Sequence, residues 1–256
     1  MEYILAEKRI QLPSVPSACL ITYSDTFLHE AKRRFDYRCI DIGSRKPTEI
    51  YFFRKDEGKN FAIVNPQYGD AMAVTTLEEL IALGEIASER QEAVGFHTFL
   101  SMGTAGHPTN ADHPQKLSVG DIVVVTAALK YEGSSDHYAS KENLPEADEH
   151  VVRLLCEVLD HRGVHYQNGI VATTSGIYRE TPTFIKQILE KDAIGIDMET
   201  SALLTVAKYH GKKMGTILYI SDVVHVDGWN VEFLSGDVSE TEIKVFDAAM
   251  DAINKL

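Results

Sequence analysis

The sequence predicts a single α/β domain: a mostly parallel or mixed β-sheet with helices packed on it. Three observations lead there. Apolar β-rich runs alternate with helix-periodic runs along the whole chain. No internal repeat, low-complexity tract or Pro/Gly-rich linker divides it. The 256 residues suit one domain, taken as 1–256, large enough to bury its core without disulfides or metals.

The elements follow in order. "SACLITYSD" (Ser17–Asp25) reads as a short buried strand ending in a polar turn, and "TFLHEAKRRF" as a helix. "TEIYFFRKDEGKNFAIVN" (Thr48–Asn65) places two β-rich runs around a turn, a hairpin. "TTLEELIALGEIA" opens with Thr76 and Glu79 in capping-box spacing, so a helix is expected to start there. "VGFHTFLSMGTAG" (Val94–Gly106) reads as a strand running into a glycine turn, and Ala105–Ser118 as a surface loop. "VGDIVVVTAALKY" is another strand, and "ADEHVVRLLCEVLDHRG" an amphipathic helix closed by Gly163. A strand and loop ("NGIVATTSGIY"), a helix ("TPTFIKQILEKD"), a strand over 193–198, a helix over 200–210 ended by Gly211, a strand over 215–221 and a terminal helix over 239–256 complete the chain.

Composition bounds the function. Net charge is −13 and the isoelectric point about 5.2. Binding to a nucleic-acid backbone needs Lys and Arg to neutralise phosphates, so nucleic acid is excluded as the main partner. No apolar run approaches the ~20 residues of a membrane helix, and the first residues lack a signal-peptide core. The cysteines, Cys19, Cys39 and Cys156, are odd in number and form no CxxC. A reducing cytoplasmic location is expected.

Three stretches carry the candidate chemistry. In "GIDMETSALLTVA", Asp197 and Glu199 flank Met198 where a strand passes into a helix. Ligands of open α/β sheets bind at such strand ends. The helix start also favours a carboxylate on its own account, so the spacing leaves both roles open. In "LYISD", Ser221 and Asp222 end an apolar strand, one helix and one strand later; they either face the same mouth or cap the next turn. In "SMGTAG" (Ser101–Gly106), small residues expose backbone N–H groups that suit an oxyanion or a sugar hydroxyl, or form a plain turn. His107, His113, His225 and Asp227 make no metal-binding motif, and a metal-free protein without a cofactor is expected.

Together "FLSMGTAG", "VGDIVVVTAALKYEGSSDHYA", "DMETSALLTVA" and "ISD" resemble, in order and over about residues 17–256, the nucleoside phosphorylase and nucleosidase superfamily. That group includes uridine phosphorylase, hexameric purine nucleoside phosphorylase, and the methylthioadenosine and AMP nucleosidases. The resemblance implies a twisted mixed sheet, partly a distorted barrel, surrounded by helices. It implies a homo-oligomer, a dimer or trimer of dimers, with sites at a dimer interface. It implies that a small-molecule nucleoside or nucleotide, most simply a purine nucleoside, is cleaved at its N-glycosidic bond. Glu199 matches the carboxylate that grips ribose hydroxyls, Met198 the residue packing on the sugar, and Asp197 a carboxylate near base and sugar. Asp222, with Ser221, matches the acid at the base N7. Tyr178 matches the aromatic under the base, with a core tyrosine as the alternative, and Thr104 and Gly106 belong to the turn between acceptor and ribose.

The acceptor residues depart from the pattern. Phosphorylases of this group carry Gly-Asp-Pro-x-Arg after the first strand; here the stretch is Ser24-Asp25-Thr26-Phe27-Leu28. Ser101 stands at a second arginine position. Asp25, Ser101 and Arg45, the last lent to a neighbouring subunit, are left as candidate phosphate contacts. Two bidentate arginine contacts are missing. Phosphorolysis, with phosphate as co-substrate, is therefore the first expectation and hydrolysis the second, with Asp25 or Glu30 to activate water. A nucleoside-binding module of weak activity is the third. Arg179 either pairs with Glu180 on the surface or reads an anionic substituent.

Overall fold

The computed structural model describes residues 14–42, 48–89, 95–114, 116–138, 144–226 and 238–256, and residues 228–230 by their backbone alone. Arg45 and Asp227 lie outside the described residues. The chain runs β1 (Ala18–Thr22), α1 (Asp25–Arg34), β2 (Asp36–Ile42), β3 (Thr48–Arg54), β4 (Phe61–Val64), α2 (Asp70–Glu89), β5 (Thr98–Thr109) and β6 (Ile122–Tyr131). It continues through α3 (Glu149–His161), β7 (Tyr166–Thr174), α4 (Pro182–Leu189), β8 (Ala193–Asp197), α5 (Thr200–Tyr209), β9 (Lys213–His225), β10 (Gly228–Asn230) and α6 (Ser239–Lys255).

The strands form one mixed sheet in the order β10-β9-β6-β7-β8-β5-β1-β4-β3-β2, and β9 pairs with β5 as well. That extra pairing closes β5, β9, β6, β7 and β8 into a distorted barrel, with β1 to β4 as an open extension. β1 is parallel to both β4 and β5 and buried along its whole length. Its Cys19 and Ile21 enter one core, packed against α2 and α5, while Ala18 and Leu20 enter a second beneath α1, α3 and α6. A strand covered on both faces reads as a continuous apolar run, which is why "ACLI" has no polar alternation. α4 covers the β7–β8 side through Ile185, Ile188 and Leu189.

Three sequence expectations are corrected. α2 starts at Asp70, six positions before Thr76, and Thr76 is buried inside the helix. The capping-box spacing is incidental, because Gly69 (φ +101°) makes the real break and its carbonyl accepts the Ala73 N–H. The glycine stretch 103–106 is not a turn. β5 runs through it to Thr109, absorbing the first part of the expected loop, because β9 pairs with it along that length. β9 likewise continues past Asp222 to His225. β2 had no counterpart in the sequence reading; most of its residues are exposed, so it carries little apolar signal.

Candidate active site

A cleft of about 1130 Å³ opens where the ends of β1, β4 and β8 meet the middle of β5 and β9. Each wall has a local cause. The register between β5 and β9 slips after Ala105: Ala105 faces Ile220 and Gly106 faces Asp222, so Ser221 is the extra residue of a β-bulge. Bulges re-aim side chains beside functional sites. Here the bulge brings Ser221 Oγ to 2.6 Å from Asp222 Oδ1. Gly106 leaves the room: a Cβ there would lie 3.2 Å from Asp222 Oδ2 and 2.9 Å from Val224 Cγ2.

The two carboxylates at the end of β8 and just beyond it, Asp197 and Glu199, divide the work. Asp197 Oδ2 accepts the Thr200 N–H at 2.9 Å, and Oδ1 accepts the Thr173 hydroxyl at 2.6 Å. Thr173 Oγ1 in turn accepts the Ser201 N–H. Asp197 thus caps α5 as well as lining the cleft. Glu199, at the cap position itself, makes no capping bond; its Oε1 accepts the Gly69 N–H at 2.7 Å. Burial, then the Asp197 charge, pushes the Glu199 carboxyl up to about 8. Burial also pushes Asp197 up, opposed by its bonds to Thr173 and Thr200.

Met198 and Thr104 line the same cleft, Thr104 as an exposed residue within β5. Tyr178 lines it from a short 3₁₀ turn and is 86% exposed, which removes the core-tyrosine alternative. Asp25 also lines it, accepting Asn65 Nδ2 at 2.8 Å. Asp222, Glu199, Met198, Asp197, Tyr178, Thr104, Ser221, Gly106 and Asp25 are therefore brought together. Ser101 is not: it is buried within β5 and does not line the cleft. Glu30 is turned away as well, paired with Arg33 and Arg34. No ion pair joins Arg179 to Glu180; Glu180 lines the cleft instead, pushed up to about 7 by burial and by the Asp222 charge.

A family model described as "Phosphorylase superfamily" matches residues 18–253. The chain belongs to the phosphorylase superfamily. Among curated relatives, a uridine phosphorylase of Thermococcus kodakarensis is 29% identical over 145 residues, 52% of this chain and 50% of the relative. A guanosine phosphorylase of Halorubrum lacusprofundi is 27% identical over 162 residues, 63% of this chain and 65% of the relative. The chain thus matches between half and two thirds of the length of these relatives. The fold extends further. The structure of the P knowlesi homolog of P falciparum PNP superposes with TM-score 0.72 at 18% identity, covering 94% of this chain and 89% of that one. Uridine phosphorylase from Vibrio fischeri gives 0.71 at 18%, covering 94% and 93%.

Within this phosphorylase-superfamily cleft, sequence reasoning missed several residues. The Tyr23 ring lies near Glu199 and Asp197, which help to raise its hydroxyl's pKa after burial. That hydroxyl is buried without a partner among the described residues. An unpaired buried donor costs free energy, so the position suits a ligand hydroxyl. Glu242, from the first turn of α6, accepts hydroxyls from Ser24 (2.6 Å) and Tyr219 (2.8 Å) at Oε1. No motif flags Glu242, because its helix is amphipathic and ordinary. The lining residues include Asp25, Glu180, Asp197, Glu199, Asp222 and Glu242 and, among those described, no Lys or Arg. His107 is structural: its Nδ1 bonds the Ile194 carbonyl and its Nε2 accepts the Lys116 N–H, tying Lys116 to β5. Burial lowers its pKa, which suits that neutral role.

Proposed function

We propose that this protein cleaves the N-glycosidic bond of a nucleoside and transfers the pentosyl group to phosphate. The carrying observation is that Glu199, just after β8, and Asp222, at the bulge within β9, line one cleft together with Met198 and Tyr178. Membership of the phosphorylase superfamily and the phosphorylase names of its relatives support the acceptor.

Such a bond breaks through a cation-like sugar and a departing base. Glu199 holds the sugar hydroxyls, and the buried carboxylates around it stabilise developing positive charge. Asp222, oriented by Ser221, hydrogen-bonds and protonates the base. A purine offers N7 to that acid, so a purine nucleoside is the proposed substrate. Tyr178 folds over the base and Thr104 lies between sugar and acceptor. The working form is a cytoplasmic homo-oligomer, in which a neighbour's Arg45 supplies positive charge to phosphate. Light scattering tests the assembly.

One observation favours a second reading, hydrolysis: the described lining offers an anion no cation. The test of both is a nucleoside and 5′-nucleotide panel with and without phosphate, following base, free pentose and pentose 1-phosphate. Phosphate-dependent pentose 1-phosphate supports phosphorolysis. Saturable binding without cleavage of any member refutes the enzymatic reading.

A further inference from the structure

We propose that Glu242 activates a water molecule, giving this cleft a hydrolytic activity in its own right. The inference rests on the reading that the cleft cleaves N-glycosidic bonds, and it takes up the second, hydrolytic form of that reading by naming the residue that would activate water.

Three features carry it. First, Glu242 is a buried carboxylate that lines the cleft rather than a surface charge of α6. Second, the Ser24 and Tyr219 hydroxyls both donate to Oε1, and Oε2 accepts no hydrogen bond among the described residues. Two fixed donors hold one oxygen and orient the other, as a positioned base requires. Asp25, the other acidic residue of this wall, is exposed and bonded to Asn65, so it is the poorer candidate.

Third, the spacing is right. Tyr219 faces Thr104 and Asp222 faces Gly106 along the β9–β5 pair. Because Ser221 is bulged out, the span is the two β5 positions from Thr104 to Gly106, roughly 7 Å at ~3.3 Å each. A pentose fits between, over Met198 and Glu199, with the base at the Asp222 end and the attacking group at the Glu242 end. A phosphate dianion at that end would face a buried carboxylate with no described cation beside it; a neutral water would not.

The step balances. Glu242 takes a proton from water as the water oxygen bonds to C1 of the pentose. The C1–N bond breaks, its electron pair leaves with the base, and the base takes a proton at the Asp222 end. Glu242 returns its proton to solvent, and the net change is nucleoside plus water to pentose plus base.

The experiment uses the full chain in phosphate-free buffer with the nucleoside panel, following free pentose. Wild type is expected to release free pentose. Glu242→Gln, whose amide oxygen still accepts both hydroxyls, is expected to lower that rate by about 10²-fold or more with its melting temperature kept. Should it fail to fold, Glu242→Asp is expected to cost at least about tenfold, because the carboxylate is withdrawn from the water. An unchanged hydrolytic rate in a folded variant overturns the proposal. Cleavage by wild type only when phosphate is added also overturns it, and leaves the N-glycosidic reading standing. Absence of cleavage under both conditions overturns that reading and this one together.

Discussion

The Glu199 carboxylate accepts the backbone N–H of Gly69 at 2.7 Å, across 130 positions of sequence. This bond joins the start of α5 to the start of α2 and fixes one wall of the cleft. Glu199 therefore stands at two helix N-termini, where partial positive charge favours an anion. Burial and Asp197 oppose that, and the net result is a carboxyl raised to about 8.

If the ionised form of Glu199 does the work, kcat/KM rises with pH through about 8 and then levels. Glu199→Gln should remove that rise and lower the rate at every pH. A flat wild-type profile between about pH 6 and 9 would refute the role.

Asp222→Asn should cut turnover of purine nucleosides about 10²-fold or more, while leaving the fold intact. Steady-state kinetics on purine and pyrimidine substrates check it. Unchanged purine turnover would remove Asp222 from the chemistry.

Gly106→Ala should damage activity and stability together. Its Cβ meets the buried Val224 Cγ2 at 2.9 Å and Asp222 Oδ2 at 3.2 Å, so both the core and the acid must shift. Rate loss with a lowered melting temperature is the expected pair of results; wild-type values of both would contradict the close packing.

Asp197→Ala should act mainly through stability. It strands the Thr173 hydroxyl and the Thr200 N–H, both buried, at a cost of roughly 1–3 kcal/mol. Urea unfolding measures this; a loss below about 0.5 kcal/mol would contradict the capping role.

Stability should fall as pH rises from about 4.5 toward 8. Glu180 and Glu199 keep their protons in the folded state up to about 7 and about 8, while their ordinary value is 4.5. Between those limits the native state binds more protons than the unfolded one, so their contribution is present below about 4.5 and lost above. Glu180→Gln should therefore raise the melting temperature relative to wild type at pH 8 and not at pH 4. Equal shifts at both would contradict the account.

Much was legible in the sequence where local chemistry decides it. The apolar runs of β1, β6 and β8, the amphipathic α3 and α4, and the Gly163 and Gly211 stops all follow from periodicity and backbone freedom. Asp197, Met198 and Glu199 of "DMETSALLTVA" and Ser221 and Asp222 of "ISD" also pointed to the cleft they line. What the sequence could not give depends on pairing at a distance. Thr76 looked like a helix start, yet Gly69 breaks the chain earlier and its N–H is bound by Glu199. Gly103–Gly106 looked like a turn, yet β9 held it extended. Asp197 and Glu199 looked alike, and only the positions of Thr173, Thr200 and Gly69 separated cap from cleft. Glu242 was silent, because a carboxylate on an ordinary amphipathic helix has meaning only once Ser24 and Tyr219 are folded against it. Elements and motif residues are properties of short windows of chain. The division of labour among the cleft's carboxylates is a property of which backbone donors and hydroxyls the closed sheet brings to each one.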